Sequence, residues 1–434
     1  MSDPGKSPTA ADRSLEVFPA GSNGEFNLPP ELSTVIAGGE GCELWDTEGR
    51  RYLDFSMGWG SSLIGHARPE VVTAVQRQAP LGSNFAYVTE NSLALAEEIC
   101  RLSPACDQVR FCGSGTEATM YCQRLARAYT KKAKILKFEG AYHGANEVGV
   151  TSLFPHRLKA FPTADPSSAG IPDAVARDIL VAPYNDAEMS SKLIRRHAAR
   201  LAAVIVEPLQ RCTPPREGFL ESLRQACSDK GVLLIFDEVV TGFRLAYGGA
   251  QEYYGVVPDL VAYGKALGGG YPIGAFGGSR EIMSLVREER FGQAGYVWVA
   301  STLGGNPISS AAALAALSVF RRGDTYTHLH QLGQYLRLGL EAMLAANGAE
   351  AQVIGDGPLA QIVFSNKPVY DYRSTRRGNR KLGRALMLAL FERGIFLNPM
   401  GTKLYLSLAH SRDSCDSFLE RFEDALRAAM AGQA

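Results

Sequence analysis

Apolar positions along the chain fall into three regimes. Over residues 41–55 (GCELWDTEGRRYLDF) apolar and polar residues alternate about Asp46-Thr47-Glu48-Gly49, which predicts a β-hairpin in an N-terminal meander. From about residue 70 to 315, stretches of 3.6-residue period alternate with short, continuously apolar runs such as 202–206 and 232–236. Runs of that kind suit strands buried on both faces, so this region predicts a mostly parallel sheet with crossover helices. Beyond residue 316, amphipathic helices over 332–345 and 381–393 mix with short strands over 360–364 and 403–408, the pattern of a smaller α+β lobe. The expected division is an N-terminal arm and meander over 1–69 that packs with the small domain, a large α/β domain over 70–315, and the small domain over 316–434.

Composition narrows the function more than the fold. The 434 residues carry 45 Lys plus Arg against 45 Asp plus Glu, a formal charge of zero. Binding driven by phosphate neutralisation, on nucleic acid or an anionic membrane surface, needs a basic excess that is absent here. Small-molecule chemistry is the expectation. The eight cysteines form no Cys-x-x-Cys pair, no apolar run approaches the roughly 18 residues of a membrane helix, and the start is polar. A cytoplasmic protein with reduced thiols is therefore expected. No His-Glu-x-x-His occurs, and His328 and His330 are spaced to point apart on a helix, so no metal is expected.

The chemistry-bearing residues follow the apolar runs. The run 202–206 ends in Glu207-Pro208, a helical stretch comes next (Phe219, Leu220, Leu223, Ala226, Cys227), and the run 232–236 ends in Asp237-Glu238. A further run, 260–263, leads to Lys265, 28 residues after Asp237. Open α/β sheets place ligands at the carboxyl ends of strands, where these groups would lie. A lysine amine of lowered pKa can form a Schiff base with an aldehyde cofactor, and a carboxylate facing a pyridine nitrogen keeps it protonated. A structural ion pair at a strand end explains these two residues equally well.

Two further motifs bear on that choice. Gly113-Ser114-Gly115-Thr116-Glu117 opens a helix with glycines, hydroxyls and unpaired N–H groups, a setting for phosphate. Many helices begin with Ser or Thr only to cap themselves. Glu139-Gly140-Ala141-Tyr142-His143-Gly144 ends another apolar strand, and an aromatic in a glycine-flanked turn can lie against a planar ring or simply pack in the core. No Gly-x-Gly-x-x-Gly turn of a dinucleotide oxidoreductase is present.

In their order, these motifs, with Asp237-Glu238-Val239-Val240-Thr241-Gly242-Phe243-Arg244, Tyr263 to Gly270 and Ser301-Thr302-Leu303-Gly304-Gly305-Asn306-Pro307, resemble the class III pyridoxal-phosphate aminotransferases, and within them the glutamate-1-semialdehyde aminomutase branch, over residues 40–430. The resemblance implies the fold type I architecture, an α/β large domain with a smaller α+β C-terminal domain, and a homodimer with shared active sites. It implies pyridoxal 5'-phosphate bonded to Lys265, its ring nitrogen on Asp237, its phosphate on Ser114, Gly115 and Thr116, and Tyr142 over the ring with His143 beside it. Thr302 would reach the phosphate across the dimer, Glu207 would order polar groups near the cofactor, and Trp59 would line the substrate channel.

The substrate side departs from that branch. Where the branch carries a substrate-binding arginine near its start, this chain reads Pro19 to Asn27, with Asn27 or a neighbour in its place; Arg211-Cys212 replace Gly-Asn; and the loop 398–403 lacks the branch's acid. Arg211 could bind a carboxylate in a new place. The resulting expectation is an intermolecular aminotransferase with an amino acid donor such as glutamate and a carbonyl acceptor, for instance a cyclic keto acid such as 3-dehydroshikimate in specialised metabolism. The alternative is glutamate-1-semialdehyde 2,1-aminomutase.

Overall fold

The computed structural model describes residues 8–24, 28–397 and 401–432, which divide into two compact units. The larger holds Pro69–Thr327 and Tyr370–Thr375. Its centre is a seven-stranded sheet of β1 (Gln108–Cys112), β2 (Lys134–Phe138), β3 (Ile179–Ala182), β4 (Leu201–Val206), β5 (Leu233–Asp237), β6 (Leu260–Tyr263) and β7 (Gly274–Gly278). In space the order is β1-β7-β6-β5-β4-β2-β3, and only β7 runs antiparallel to its neighbours. The mostly parallel α/β sheet expected from the apolar runs is therefore present. Every residue of β3, β4, β5 and β6 is buried, which explains why those strands read as unbroken apolar runs.

Helices cover the sheet. Helix α1 (Gly115–Thr130) starts where Ser114 accepts the N–H of Glu117, and its Ala118, Tyr121, Cys122, Leu125 and Ala126 pack into the sheet core. Helix α2 (Phe219–Lys230) is closed by Gly231 in the left-handed region. Strand β7, GAFGG, has no apolar run to announce it. Its glycines are set by close approach: a Cβ at Gly274 would strike the Ser114 carbonyl, and one at Gly277 would lie 2.8 Å from the Gln108 carbonyl.

The other unit holds residues 8–24 and 28–68 with His328–Val369 and the described residues from Arg376 on. A meander of Ile36–Glu40, Glu43–Asp46 and Arg51–Asp54 contains the expected hairpin, and Ile395–Phe396 joins it in parallel. Asp46 closes the turn by accepting the N–H groups of Glu48 and Arg50. Strands Gln352–Ile354, Leu359–Val363 and Lys403–Tyr405 form a second, antiparallel sheet against helices Arg380–Glu392 and Arg412–Ala431. No described helix is long and apolar enough to cross a membrane.

One buried histidine gives this unit an acid sensitivity. His410 accepts the Ser407 N–H at Nδ1 (3.0 Å), so its Nε2 carries the proton and donates to the Asp54 carbonyl (3.1 Å). Burial pulls its pKa to about 4, against attraction from Asp54. A histidine near 6.5 when unfolded and near 4 when folded binds more protons unfolded, so its contribution is lost as pH falls from about 6.5 toward about 4. The urea midpoint is expected to drop over that window, with a shallower drop in His410→Gln.

Candidate active site

Five parallel strands end on one edge of the large sheet, and each delivers a group there. After β1 comes the Gly113–Thr116 turn, after β2 the Glu139–Gly144 turn, after β4 Glu207, at the end of β5 Asp237, and two residues past β6 Lys265. Packing joins them: an added Cβ on Gly264 would lie 3.5 Å from the Gly115 backbone, and one on Gly115 would meet Val239 at 2.8 Å. The cluster expected from sequence around Asp237 and Lys265 is thus assembled in one place.

Asp237 is buried and tightly held. One carboxylate oxygen accepts the Val239 N–H (3.1 Å), and the other lies 2.7 Å from His143 Nδ1. The His143 Nε2 is buried with no protein partner. A bond from Nδ1–H to Asp237 leaves that nitrogen free to accept. Thr119 and the Asn146 amide both donate to the His143 carbonyl, which fixes the turn under the imidazole.

Lys265 is partly covered and sits at a left-handed backbone position, φ 46°. Burial lowers its ammonium below the ordinary lysine value, outweighing the attraction of Asp237 and Glu207 and assisted by Arg244 and Arg211. A larger fraction of the reactive amine is available as a result. Glu207 behaves in the opposite sense: burial works to raise its carboxyl, but Arg211, His143 and the N–H groups of Tyr142 (2.7 Å) and Arg211 (3.0 Å) outweigh it and hold it below the ordinary glutamate value. The carboxylate therefore organises the Tyr142 turn.

Tyr142 is 38% exposed, with the Arg211 guanidinium 5.6 Å from its ring centre. Arg211 also donates from Nε to the Gly140 carbonyl (3.2 Å), from a left-handed backbone of φ 62°. Thr116 faces the same turn, its hydroxyl accepting the Ala145 N–H (3.2 Å), and Gly144 approaches so closely that a Cβ would sit 2.6 Å from the Thr116 Cα.

These residues fit a phosphorylated pyridine aldehyde. The hydroxyls of Ser114 and Thr116 and the free N–H groups at the start of α1 suit the phosphate, the Lys265 amine suits the aldehyde, and Asp237 suits a ring N–H. The His143 Nε2, buried without a protein partner, is a further acceptor available there.

Other expected residues lie on other segments. Thr302 is exposed; nearby, Ser301 lies 3.8 Å from where a Gly113 Cβ would be, and Gly304 and Gly305 lie against Phe111. Trp59 belongs to the other unit, in a turn where Met57, Gly58, Trp59 and Gly60 are all left-handed. Asn27 and residues 398–400 lie outside the described residues. Sequence reasoning missed Lys137 and the bidentate pair of Arg373 with Glu139 (2.7 and 3.0 Å). The signal for Lys137 was a lysine between the apolar Leu136 and Phe138 in the interior of a strand.

A family model described as aminotransferase class-III matches residues 28–426. The chain belongs to that family. It is accordingly an enzyme of the pyridoxal-phosphate-dependent class, as the motifs led us to expect. A glutamate-1-semialdehyde 2,1-aminomutase of Desulforudis audaxviator is 41% identical over 420 residues, 94% of this chain and 95% of that protein. Among solved structures, an ω-transaminase from Sphaerobacter thermophilus matches with TM-score 0.90 and 36% identity over 97% of each chain. A transaminase solved with PLP bound matches with TM-score 0.88 and 28% identity over 98% of each. The expectation of an acceptor such as 3-dehydroshikimate has no counterpart among these relatives, and the curated one favours the aminomutase alternative.

Proposed function

We propose that this chain exchanges the amino group and the carbonyl oxygen of a glutamate-1-semialdehyde-type substrate, as an aminomutase. The observation that carries the reading is the 41% identity to a curated aminomutase along nearly the whole of both chains. A specific feature favours a second reading, transfer between two molecules: the substrate arginine expected near the start is replaced in Pro19 to Asn27, and the ω-transaminase is a close structural match at TM-score 0.90. The two separate cleanly. Purified holoenzyme given glutamate-1-semialdehyde alone should form its isomer 5-aminolevulinate with no second amine consumed; no 5-aminolevulinate, together with stoichiometric conversion of an added amine and an added carbonyl acceptor into the exchanged carbonyl and amine, supports transfer between molecules and overturns the aminomutase reading.

When bound, pyridoxal phosphate supplies an aldehyde that captures amines and a protonated ring that draws electrons from the adjoining carbon. The chain's residues do the rest. Ser114, Gly115 and Thr116 would hold the phosphate, Asp237 would pair with the ring N–H, and Tyr142 would face the ring, while His143 holds Asp237. Lys265 would take the cofactor aldehyde, and as a free amine its Nζ would accept and return protons, a role that its lowered ammonium suits. Glu207 keeps the Tyr142 turn in place through its two N–H bonds. Trp59 and Asn27 are the further candidates for substrate contact.

We assign the substrate carboxylate to Arg211. Its Nε is engaged, but the remaining guanidinium N–H groups extend beside Tyr142. Glycine accepts its left-handed backbone without strain, so Arg211→Gly removes the charge and the bond to the Gly140 carbonyl without straining its own backbone. KM for a carboxylate substrate should rise about 10- to 100-fold with kcat changed less than about 3-fold, and an amine lacking a carboxylate should be unaffected.

A homodimer is part of the same proposal, with Thr302 serving the second subunit's phosphate. Large apolar side chains left exposed in the bigger unit support it: Leu81, Phe85, Tyr87 and Val88 in one segment, Phe291, Trp298 and Leu303 in another. With balanced charge and free cysteines, the site of action is taken to be the cytoplasm.

A further inference from the structure

Lys137 lies in β2 between Leu136 and Phe138, and its side chain is wholly enclosed. None of the chemistry above uses it. Its Nζ donates to three main-chain oxygens, those of Ala141 (2.9 Å), Gly149 (2.9 Å) and Thr151 (2.6 Å). All three belong to the segment that follows β2, and Tyr142 and His143 lie between the first and the second. An ammonium has three N–H groups and no lone pair, so three carbonyls match it one for one. A neutral amine has only two, and its lone pair would face the third oxygen.

We propose that Lys137 is the positioning residue of this turn, its protonated amine tying both ends of the segment to β2 so that the Tyr142 ring and the His143–Asp237 contact are held where the cofactor needs them. The tether itself stands on geometry; only what the turn presents rests on the functional reading above.

The charge state of the tether is poised. Burial pulls the lysine down to about 7; Glu207 at the end of β4 raises it, Arg211 lowers it, and Asp237 at the end of β5 raises it. The imidazole of His143 lies on the tethered turn itself. As pH rises through this range one donor is lost and the turn loosens. The fold as a whole responds with the opposite sign. Between about 7 and the ordinary lysine value of 10.5 the unfolded chain binds more protons, so this group makes the global fold firmer as pH rises. A merely structural lysine would let the turn follow the global trend.

Amide hydrogen exchange of the holoenzyme, corrected for chemical rate and read by mass spectrometry on peptides covering 139–152, distinguishes the two. Wild type should protect the N–H groups of Gly140, Tyr142 and Ala145 at about pH 6 and lose about 10-fold of that protection by about pH 9, with β4 unchanged. Lys137→Met should exchange at the fast rate at both pH values and bind pyridoxal 5'-phosphate about 10-fold more weakly than wild type at the lower pH, the difference shrinking at the higher. Wild-type protection that stays constant or increases with pH overturns the proposal, and this series decides alone if Lys137→Met does not fold. A loosened turn with unchanged cofactor affinity overturns the positioning role, whereas the assignment of Lys265 is judged separately, by covalent trapping.

Discussion

Lys265→Ala is expected to lose on the order of 10⁴-fold in turnover while still binding pyridoxal phosphate. The amine would serve twice in the proposed chemistry, as the group bonded to the cofactor at rest and as the carrier of protons during exchange, and its carboxylate and lysine neighbours are otherwise committed. Asp237 is a carboxylate engaged by Val239 and His143, Glu207 is occupied by two N–H bonds, and Lys137 is enclosed with all three of its N–H groups committed. The phosphate contacts proposed at Ser114 to Thr116 do not involve Lys265, so affinity for the cofactor should fall far less than turnover. Single-turnover absorbance changes on mixing with substrate are the direct measurement. A small added amine such as methylamine should restore part of the rate, because it supplies the missing base but not its position. Turnover within about 3-fold of wild type would remove Lys265 from the mechanism.

Asp237→Asn is expected to cost about 10² to 10³-fold, mostly in kcat. Asparagine preserves shape and can still accept the Val239 N–H, but it has no negative charge to keep a ring nitrogen protonated. The change also reaches Lys265. Asp237 is the first of the groups that hold the lysine's ammonium up against burial, so without it the ammonium falls further. The acidic limb of the pH–rate profile, where Lys265 must lose its proton to act as base, should move to lower pH in the variant. A merely structural Asp237 would leave that limb in place while lowering stability. Thermal melts recorded beside the profiles separate the two.

The sheet was legible because burial on both faces leaves its middle strands no polar positions. The runs 202–206 and 232–236 lie within one residue of β4 and β5 at either end, and the groups just past them, Glu207 and Asp237, arrive at one edge because parallel strands all end on the same side. Strand β7 was hidden for the converse reason, since its glycines answer to the Ser114 and Gln108 carbonyls rather than to a core. The gathering of Lys265, Asp237 and the Ser114 to Thr116 cap at one sheet edge could be anticipated from motif order. The His143–Asp237 contact and the placement of Arg211 over the Tyr142 ring could not, because each depends on side chains that meet only through three-dimensional packing. Lys137 shows the limit most clearly. A lysine in an apolar strand is visible in sequence, but the three carbonyls that make it useful are not.

The most direct measurement is covalent. Protein incubated with pyridoxal 5'-phosphate is reduced with borohydride, digested and sequenced by mass spectrometry. The account predicts one stable phosphopyridoxyl group per chain, on the peptide containing Lys265, and none there in Lys265→Ala. An unlabelled Lys265, or a label distributed over surface lysines with Lys265 untouched, would contradict it.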